Sequence, residues 1–548
     1  MLASLFNASP EVFDRIVLFT IADTPLGPPR ALLSLSLICR ASHRLLSRGS
    51  SKLHVSIFAQ KFDVKAPLAR LGLSVFQHNA PLELRRRFSA LKVFRGGDVN
   101  DPSLTEAFWV AYQMFEDSDT SQKNFKQLLC AGLLQFLNVF LRECLYQGSE
   151  ENHGWPLPNE RNSLAVALFW LSSSRASVNA ETAQSRVEIQ QLLAPFVFAA
   201  FRYPIFSTAE SCFDLTKYTH QATASTIHGP YPPSPLLSPN VPYFGEISRN
   251  RRIPSVALFA ILSFFTRKET LRPMIPPHLL DGKRLTREEA DALGKEGPTL
   301  DDMEHFISRC QTQFASFPAI DFGEQHSSDI LPLALDEASS YNVGTLTGRW
   351  QGSYITPYLY DYEAWLSNVA APPEFSTTGR SPLYMTLQEY FTRDAAAVIP
   401  RVDMKEGTTN AWLPRGFQWV EKENGIEVSD EEGTFKAFYE SFRPGETVCN
   451  PRDVVDVIVT GKTDAKYAAA WGDFHILGRI RLEDGLMVLA RKPVGNNSGT
   501  ILLRGYITPS QNLVGRSKGA SNGTEPAGWE AAFSLCKDHA TDNLLPTV

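Results

Sequence analysis

Sulfur-bearing residues are scarce: seven methionines and seven cysteines in 548 residues. The cysteines, at 39, 130, 144, 212, 310, 449 and 536, are odd in number and far apart, and none forms a C-x-x-C pair. A disulfide framework and a zinc site both lack their characteristic spacing. Reduced thiols in a cytoplasmic or nuclear protein are the expectation. Long apolar runs are missing too. The stretch "PFVFAAFRYPIF" is interrupted by Arg202 and Pro204, well short of the roughly 18 apolar residues a membrane span needs. The opening "MLASLFNASPEVFDR" has neither the basic segment nor the apolar length of a secretory signal. The glycosylation-type triplets at Asn7, Asn496 and Asn522 are accordingly read as chance. Neither sign of charge dominates: the net charge is −6 and the pI near 6.1. That argues against nucleic-acid binding driven by bulk charge.

Catalytic signatures are equally sparse. There is no G-x-x-x-x-G-K-[ST], no G-x-G-x-x-G, no H-E-x-x-H and no G-x-S-x-G, so the usual phosphate, dinucleotide, zinc-protease and serine-hydrolase motifs are missing. The segment Asp117-Ser118-Asp119-Thr120-Ser121 begins like a calcium loop. It has Gln122 at the required glycine and Leu128 at the closing glutamate, and is rejected. Asp473 and His475 share one strand face and form a conceivable acid/base pair. No nucleophile stands beside them, so a structural histidine is the expectation. No catalytic residue, cofactor or metal is assigned, and the chain is read as a non-enzyme.

What is present is ordinary globular composition, 43% hydrophobic and 20% charged, with 35 phenylalanines. At about 100–200 residues per domain, the length implies three or four units. Residues 1–60 read as short helices. Ser9-Pro10 is a helix start of the N-cap then N1 kind, Val12, Phe13, Ile16 and Val17 fall on one face, and the run 24–29 breaks the helix. Residues 61–225 read as a helical domain in which 125–145, "LAVALFWLSSS" and "VEIQQLLAPFVFAAF" are buried helices. Residues 226–340 read as a proline-rich linker with short helices. "HGPYPPSPLLSPNVPYF" holds six prolines and is expected as a linker or a segment strapped to a neighbour. Thr286–Glu289 and Thr299–Asp302 are helix starts of the capping-box kind.

From about 341 the period changes. "TGRWQGSYI", "DVVDVIVTG", "FHILGRIRL", "GLMVLARK", "TILLRGYIT" and "QNLVGRSK" are β-rich runs between turn residues, implying a barrel or sandwich over 341–520. The insert 421–446 carries eight carboxylates against three bases and reads as a solvated loop or face. Residues 521–548 are expected to hold a closing helix, with Trp529, Phe533 and Cys536 on one side, and a tail. Trp350 is expected to plug one barrel end, with Arg504 and Arg516 stacked on it. Gly348, Gly352 and Gly505 would permit close approach. Tyr354, Tyr358, Tyr360 and Trp365 follow the first strand in a loop, and either are the substrate-contact candidates or pack over the barrel mouth.

One segment carries more apolar surface than a surface helix needs. "ALLSLSLICRASHRLL" (31–46), read as a single helix, is apolar at Leu33, Leu37, Ala41 and Leu45 and again at Leu32, Leu35 and Cys39. A surface helix requires one apolar face about 100° wide. The excess serves either the following helical zone or an outside partner. Together with Pro10-Glu11, the helix Val12–Phe19 and "KLHVSIFAQKF", this segment resembles an F-box. Ser9 replaces the usual leucine, and the loop "ADTPLGPPRA" is longer than usual. The likeness covers about a tenth of the chain.

The rest resembles large F-box-like proteins of basidiomycete fungi, through "HGPYPP", "IPPHLL", "GRWQGSY", "VTGKTDAKYAAAWG", "GRIRLEDGLMVL" and "LRGYI". The C-terminal zone is similar to the β-barrel of the F-box receptor that recognises cyclin D, and its G-x-W opening resembles lipocalin-like barrels. The implied fold is α+β and multidomain: an N-terminal helical F-box-like motif, a helical middle and a C-terminal antiparallel β-barrel of calycin or lipocalin-like type. The implied function is docking on a Skp1-type adaptor in a cullin-based ubiquitin ligase, with a protein substrate recruited through the barrel for ubiquitin-dependent degradation. Adaptor contact would fall on Pro10, Val12, Ile16, Leu33, Leu37, Ile38 and Leu46. The alternative is a barrel that binds a small molecule or peptide, with a helical interaction module and no ligase role. Neither reading calls for nucleic acid or membrane.

Overall fold

The computed structural model describes residues 9–47, 51–205, 225–226, 229–230, 237–245, 247–269, 279, 285–295, 297–314, 341–399, 411–414, 416–443, 453–495, 499–508, 511–520 and 529–538. Cys212, Cys449, "IPPHLL" apart from its first leucine, parts of the proline-rich segment and the tail after 538 lie outside the described residues.

The chain opens with helices α1 (Pro10–Ala22), α2 (Arg30–Ile38), α3 (Arg40–Ser47) and α4 (Ser51–Lys61). The segment 31–46 is therefore two helices, not one. Cys39 between them is extended (φ −161°, ψ 168°). Its Sγ and carbonyl receive the N–H groups of Ser42 and His43, starting α3, while the Ser42 hydroxyl bonds back to Leu35 O. Side-chain bonds of this kind let serine compete with a continuous helical ladder.

The middle region holds α5 (Lys65–Gly96), α6 (Leu104–Glu116), α7 (Lys123–Cys130), α8 (Leu133–Glu143), α9 (Glu160–Ser172), α10 (Arg175–Ala180) and α11 (Ala183–Phe198). The single helix expected over 125–145 is interrupted at Gly132, whose φ of +79° lies in the left-handed region that glycine tolerates. The zone expected as a linker corrects further. Val256–Lys268 forms α12, buried at every position from 256 to 267. Its sequence "VALFAILSFFTRK" is apolar all round, as a central helix must be. Two short ladders precede it, β1 (Ser225–Thr226) with β2 (Gly229–Pro230) and β3 (Leu237–Tyr243) with β4 (Ile247–Arg252). The second is strapped to the helices through Pro242 O, which accepts from Gln113 Nε2 at 3.0 Å, and Tyr243 OH, which donates to Asp117 at 2.9 Å. Both capping boxes form, starting α13 (Arg287–Ala292) and α14 (Leu300–Arg309).

The C-terminal region is a closed antiparallel barrel. Its eight strands are β5 (Gly348–Ile355), β6 (Ser381–Thr392), β10 (Asp456–Lys462), β11 (Phe474–Ile480), β12 (Met487–Pro493), β13 (Ile501–Ile507), β14 (Asn512–Gly519) and β15 (Ala531–Lys537), with β6 pairing β10 to close the ring. All six β-rich runs read from the sequence are strands of it. The helix expected near the C-terminus is instead strand β15, between β14 and β5. It is buried on both faces over 531–536, so it carries no alternation signal. The acidic insert is a three-stranded meander, β7 (Gln418–Lys422), β8 (Gly425–Ser429) and β9 (Lys436–Ser441), hung on the end of β6. Its described acids are exposed or half-buried, while Ile426, Val428 and Tyr439 pack inward.

Alternation along each strand sends one set of side chains into the lumen. Trp350, Met385, Leu387, Val459, Ile476, Leu489, Leu503, Phe533 and Leu535 fill it as one buried cluster. Gly505 and Gly515 face each other across β13 and β14, where a Cβ on either would collide with backbone (1.9 Å from Gly515 to Arg504 O). The outer face of β12–β15 joins the helices in a second continuous core that includes Val488, Leu502, Tyr506, Val514 and Ala532. Arg504 and Arg516 lie on that outer face, opposite to Trp350, and so do not stack on it. Arg504 pairs with Glu530 at 2.6 Å. Arg516 donates to Phe196 O (2.6 Å) in the last turn of α11, a cation on a carbonyl at the helix end, and to Tyr203 O (2.5 Å) just beyond it.

Candidate docking face and barrel ends

The N-terminal helices turn one side to the core and leave another bare. Phe13, Val17, Ile21, Leu53, Ile57 and Phe58 are buried. Helix α2 has no buried residue at all. Leu33 is 63% exposed and Leu37 74%, and Val12, Phe19 and Ile38 are exposed with them. Ile16 is half-buried. Leu46, expected to meet the adaptor, is buried in the chain's own core and is removed from that surface. The break at Cys39 turns α3, and Leu46 with it, inward. The side chain of Pro10 is outside the described residues. The long loop after α1 is held from outside the motif. Gln127 accepts from Gly27 N (2.8 Å) and donates to Pro25 O (3.1 Å) and Lys61 O (3.2 Å). Bare apolar side chains on an anchored helix are the usual mark of a partner surface.

One barrel end is sealed by residues 341–347. Glu389, fully buried on the lumen side of β6, accepts from Tyr341 OH and Gly344 N on one oxygen, each at 2.9 Å. Its other oxygen accepts from Leu346 N (2.9 Å), Thr347 N (2.6 Å) and Thr347 Oγ1 (2.9 Å). Trp350 does plug this end: its Nε1 donates to Leu346 O at 2.6 Å.

The four aromatic candidates divide. Tyr354 is on β5 rather than in a loop, packed against the lumen cluster. Residues Leu359–Ser367 form helix α15, not a loop. Trp365 is buried there against Phe375 and Tyr362, so it is unavailable to a substrate. Tyr358 and Tyr360 are exposed. Asp473 and His475 are both exposed, and among the described residues no hydrogen bond joins them. A cleft of about 390 Å³ lies between α11, α12 and residues 371–377. Lys268 lines it with its pKa lowered by burial, and Gln190 Nε2 is buried there without an acceptor.

The calcium-like loop has another role. Asp117 is taken by Arg70 (2.7 Å), Arg87 and Tyr243, and Asp119 by Ser121. Among the described residues, no group of three or more His, Cys, Asp or Glu side chains is placed to hold a metal, and no helix is long and apolar enough to cross a membrane. The described cysteines are free. Burial pushes Cys310 and Cys536 up to about 12, which leaves them protonated and unreactive at neutral pH.

The class of protein these features define is a helical region fused to a closed eight-stranded antiparallel barrel, with an exposed apolar face at its N-terminal helices. Comparison with family models, with curated proteins and with solved structures gives no match to this chain.

Proposed function

We propose that the protein is a non-catalytic substrate receptor. Its N-terminal helices dock on a Skp1-type adaptor of a cullin-based ubiquitin ligase, in the cytoplasm or nucleus, and its barrel region recruits a protein substrate. The observation that carries this reading is helix α2, which lies on the molecule with Leu33 and Leu37 turned outward and no residue buried. The F-box resemblance supplies the partner. The receptor performs no chemistry; it raises the local concentration of substrate near a ubiquitin-loaded enzyme. The filled lumen weighs against the alternative of a small molecule swallowed by the barrel.

The test is capture of a purified Skp1-type adaptor by the full chain and by the double variant Leu33→Asp, Leu37→Asp. Two carboxylates placed in an apolar contact are expected to weaken binding by about 100-fold or more. Both positions are exposed, so the unfolding free energy should stay within about 0.5 kcal/mol of the parent's. A folded parent chain that never captures the adaptor overturns the reading, and so does a double variant that binds equally well.

A further inference from the structure

The barrel end opposite to Glu389 carries a charge that the described residues leave unanswered. Arg491 is near the end of β12 on the same face as Met487 and Leu489, which belong to the lumen cluster. Alternation therefore aims it inward. Its cross-strand neighbours on that face are Ile476 and Ile501. It is 7% exposed, and its Nε is sealed from solvent without an acceptor. Among the described residues, none of its nitrogens has a hydrogen bond or an ion pair. The other buried arginines of the barrel strands and the turn after β11 are answered: Arg479 by Asp456 at 2.8 Å, Arg481 by Asp484 at 2.6 Å, Arg504 by Glu530 at 2.6 Å and Arg516 by the carbonyls of Phe196 and Tyr203. A buried, unpaired guanidinium is costly, and such groups are ordinarily paired. Thr463, whose N–H bonds Phe474 O at 3.0 Å, adds a second buried and unpartnered polar atom, Oγ1, at the same end.

We propose that this end of the barrel binds a carboxylate, with Arg491 as its counter-ion. The Arg491 guanidinium carbon sits 3.3 Å from the centre of the Phe474 ring. Stacking fixes the plane and leaves the fork edge to a partner, the arrangement that suits bidentate carboxylate recognition. Burial pulls Arg491 down to about 10, so it is still charged at neutral pH. Lys462, Lys492 and Lys518, on the same strand ends, alternate to the outer face. A single inward cation matches a monoanion better than a phosphate dianion. Beneath it the lumen is filled by Leu489, Leu503 and Trp350, so only a head group enters and the body of the ligand stays outside. The carboxylate can come from a small organic acid or from a polypeptide end. This site does not depend on adaptor docking, and either proposal can fail alone.

The experiment titrates the full chain by calorimetry with benzoate and N-acetylglycine, and with their neutral counterparts benzamide and N-acetylglycinamide. At least one acid is expected to bind, about tenfold or more tighter than its amide. Arg491→Gln should lose that difference while the unliganded protein melts no lower than the parent, since a costly charge has gone. Arg491→Lys, which keeps the charge but not the fork, should bind more weakly than the parent and more tightly than the glutamine variant. Preference for benzoate points to a small acid, and preference for N-acetylglycine to a chain end. Acids that bind no better than amides, or a glutamine variant with parental affinity, overturn the proposal. Should Arg491→Gln not fold, the acid–amide contrast on the parent chain decides.

Discussion

Arg87→Met is expected to lower the unfolding free energy by about 3–5 kcal/mol, the usual cost of removing one partner from a buried ionic network. Arg87 is fully buried. It donates to Glu83 at 3.0 Å and Asn124 at 3.2 Å, and pairs with Asp117. The rings of Phe58, Phe62 and Phe244 lie 4.9, 5.2 and 5.5 Å from its guanidinium carbon. One side chain thus ties α4, α5, the end of α6, α7 and the β3–β4 ladder together. Burial opposes its charge, yet Asp117 and Glu83 raise its pKa above the ordinary value. With methionine there, Asp117 keeps Arg70 and Tyr243 and Glu83 keeps Arg86, but each carboxylate loses a charged partner in a place water does not reach. Arg142→Met is the control. Arg142 pairs with Glu188 at 2.9 Å on the surface, where an ion pair is worth about 0–1 kcal/mol. Urea midpoints of the two variants check the difference. Equal midpoints would show that the network contributes no more than a surface pair.

The same network shows what a sequence reveals and what it withholds. The Asp117–Ser121 stretch could be dismissed as a calcium loop from its own residues. That its first carboxylate answers Arg70 and Arg87 depends on chain 30 and more residues away. Six strands are legible because runs such as "DVVDVIVTG" are dense in β-branched residues and bounded by turn residues. Strand β15 is not, because "AAFSLCK" has no β-branched residue and burial on both faces leaves no alternation, only an accidental helical spacing of Trp529, Phe533 and Cys536. Strand β6 escaped for a related reason: its outer face carries Tyr384 and Tyr390, also buried. Helix α12 was hidden by the prolines around it, although its own residues are uniformly apolar. Leu37 and Leu46 look alike in sequence; a single extended residue at Cys39 separates one that faces solvent from one inside the core. Alternation in "GLMVLARK" already puts Arg491 on the face of Met487 and Leu489. That no acid among the described residues answers it emerges only once the ring of strands is closed.

Glu389→Gln is expected to cost about 2–4 kcal/mol, although it changes one atom's identity and almost nothing in volume. Every group around this carboxylate donates. Gly344 N and Tyr341 OH reach one oxygen, and Leu346 N, Thr347 N and Thr347 Oγ1 reach the other. Hydroxyls can turn and accept, whereas backbone N–H groups cannot. An amide nitrogen in the first position confronts Gly344 N–H; in the second it confronts Leu346 N–H and Thr347 N–H. Whichever way the glutamine is flipped, at least one buried backbone donor loses its acceptor. The strain then falls on residues 341–347, the seal of the barrel end, and on the Trp350–Leu346 bond that anchors the plug. Hydrogen exchange is the discriminating measurement. Protection at Gly344, Leu346 and Thr347 should fall in the variant, while amides of β13 and β14 on the far wall keep theirs, because local opening is confined to contacts that were lost. Uniform loss of protection across the barrel would instead mean that the seal and the ring of strands open as one unit, and unchanged protection at all three amides would mean that Glu389 is not what holds them.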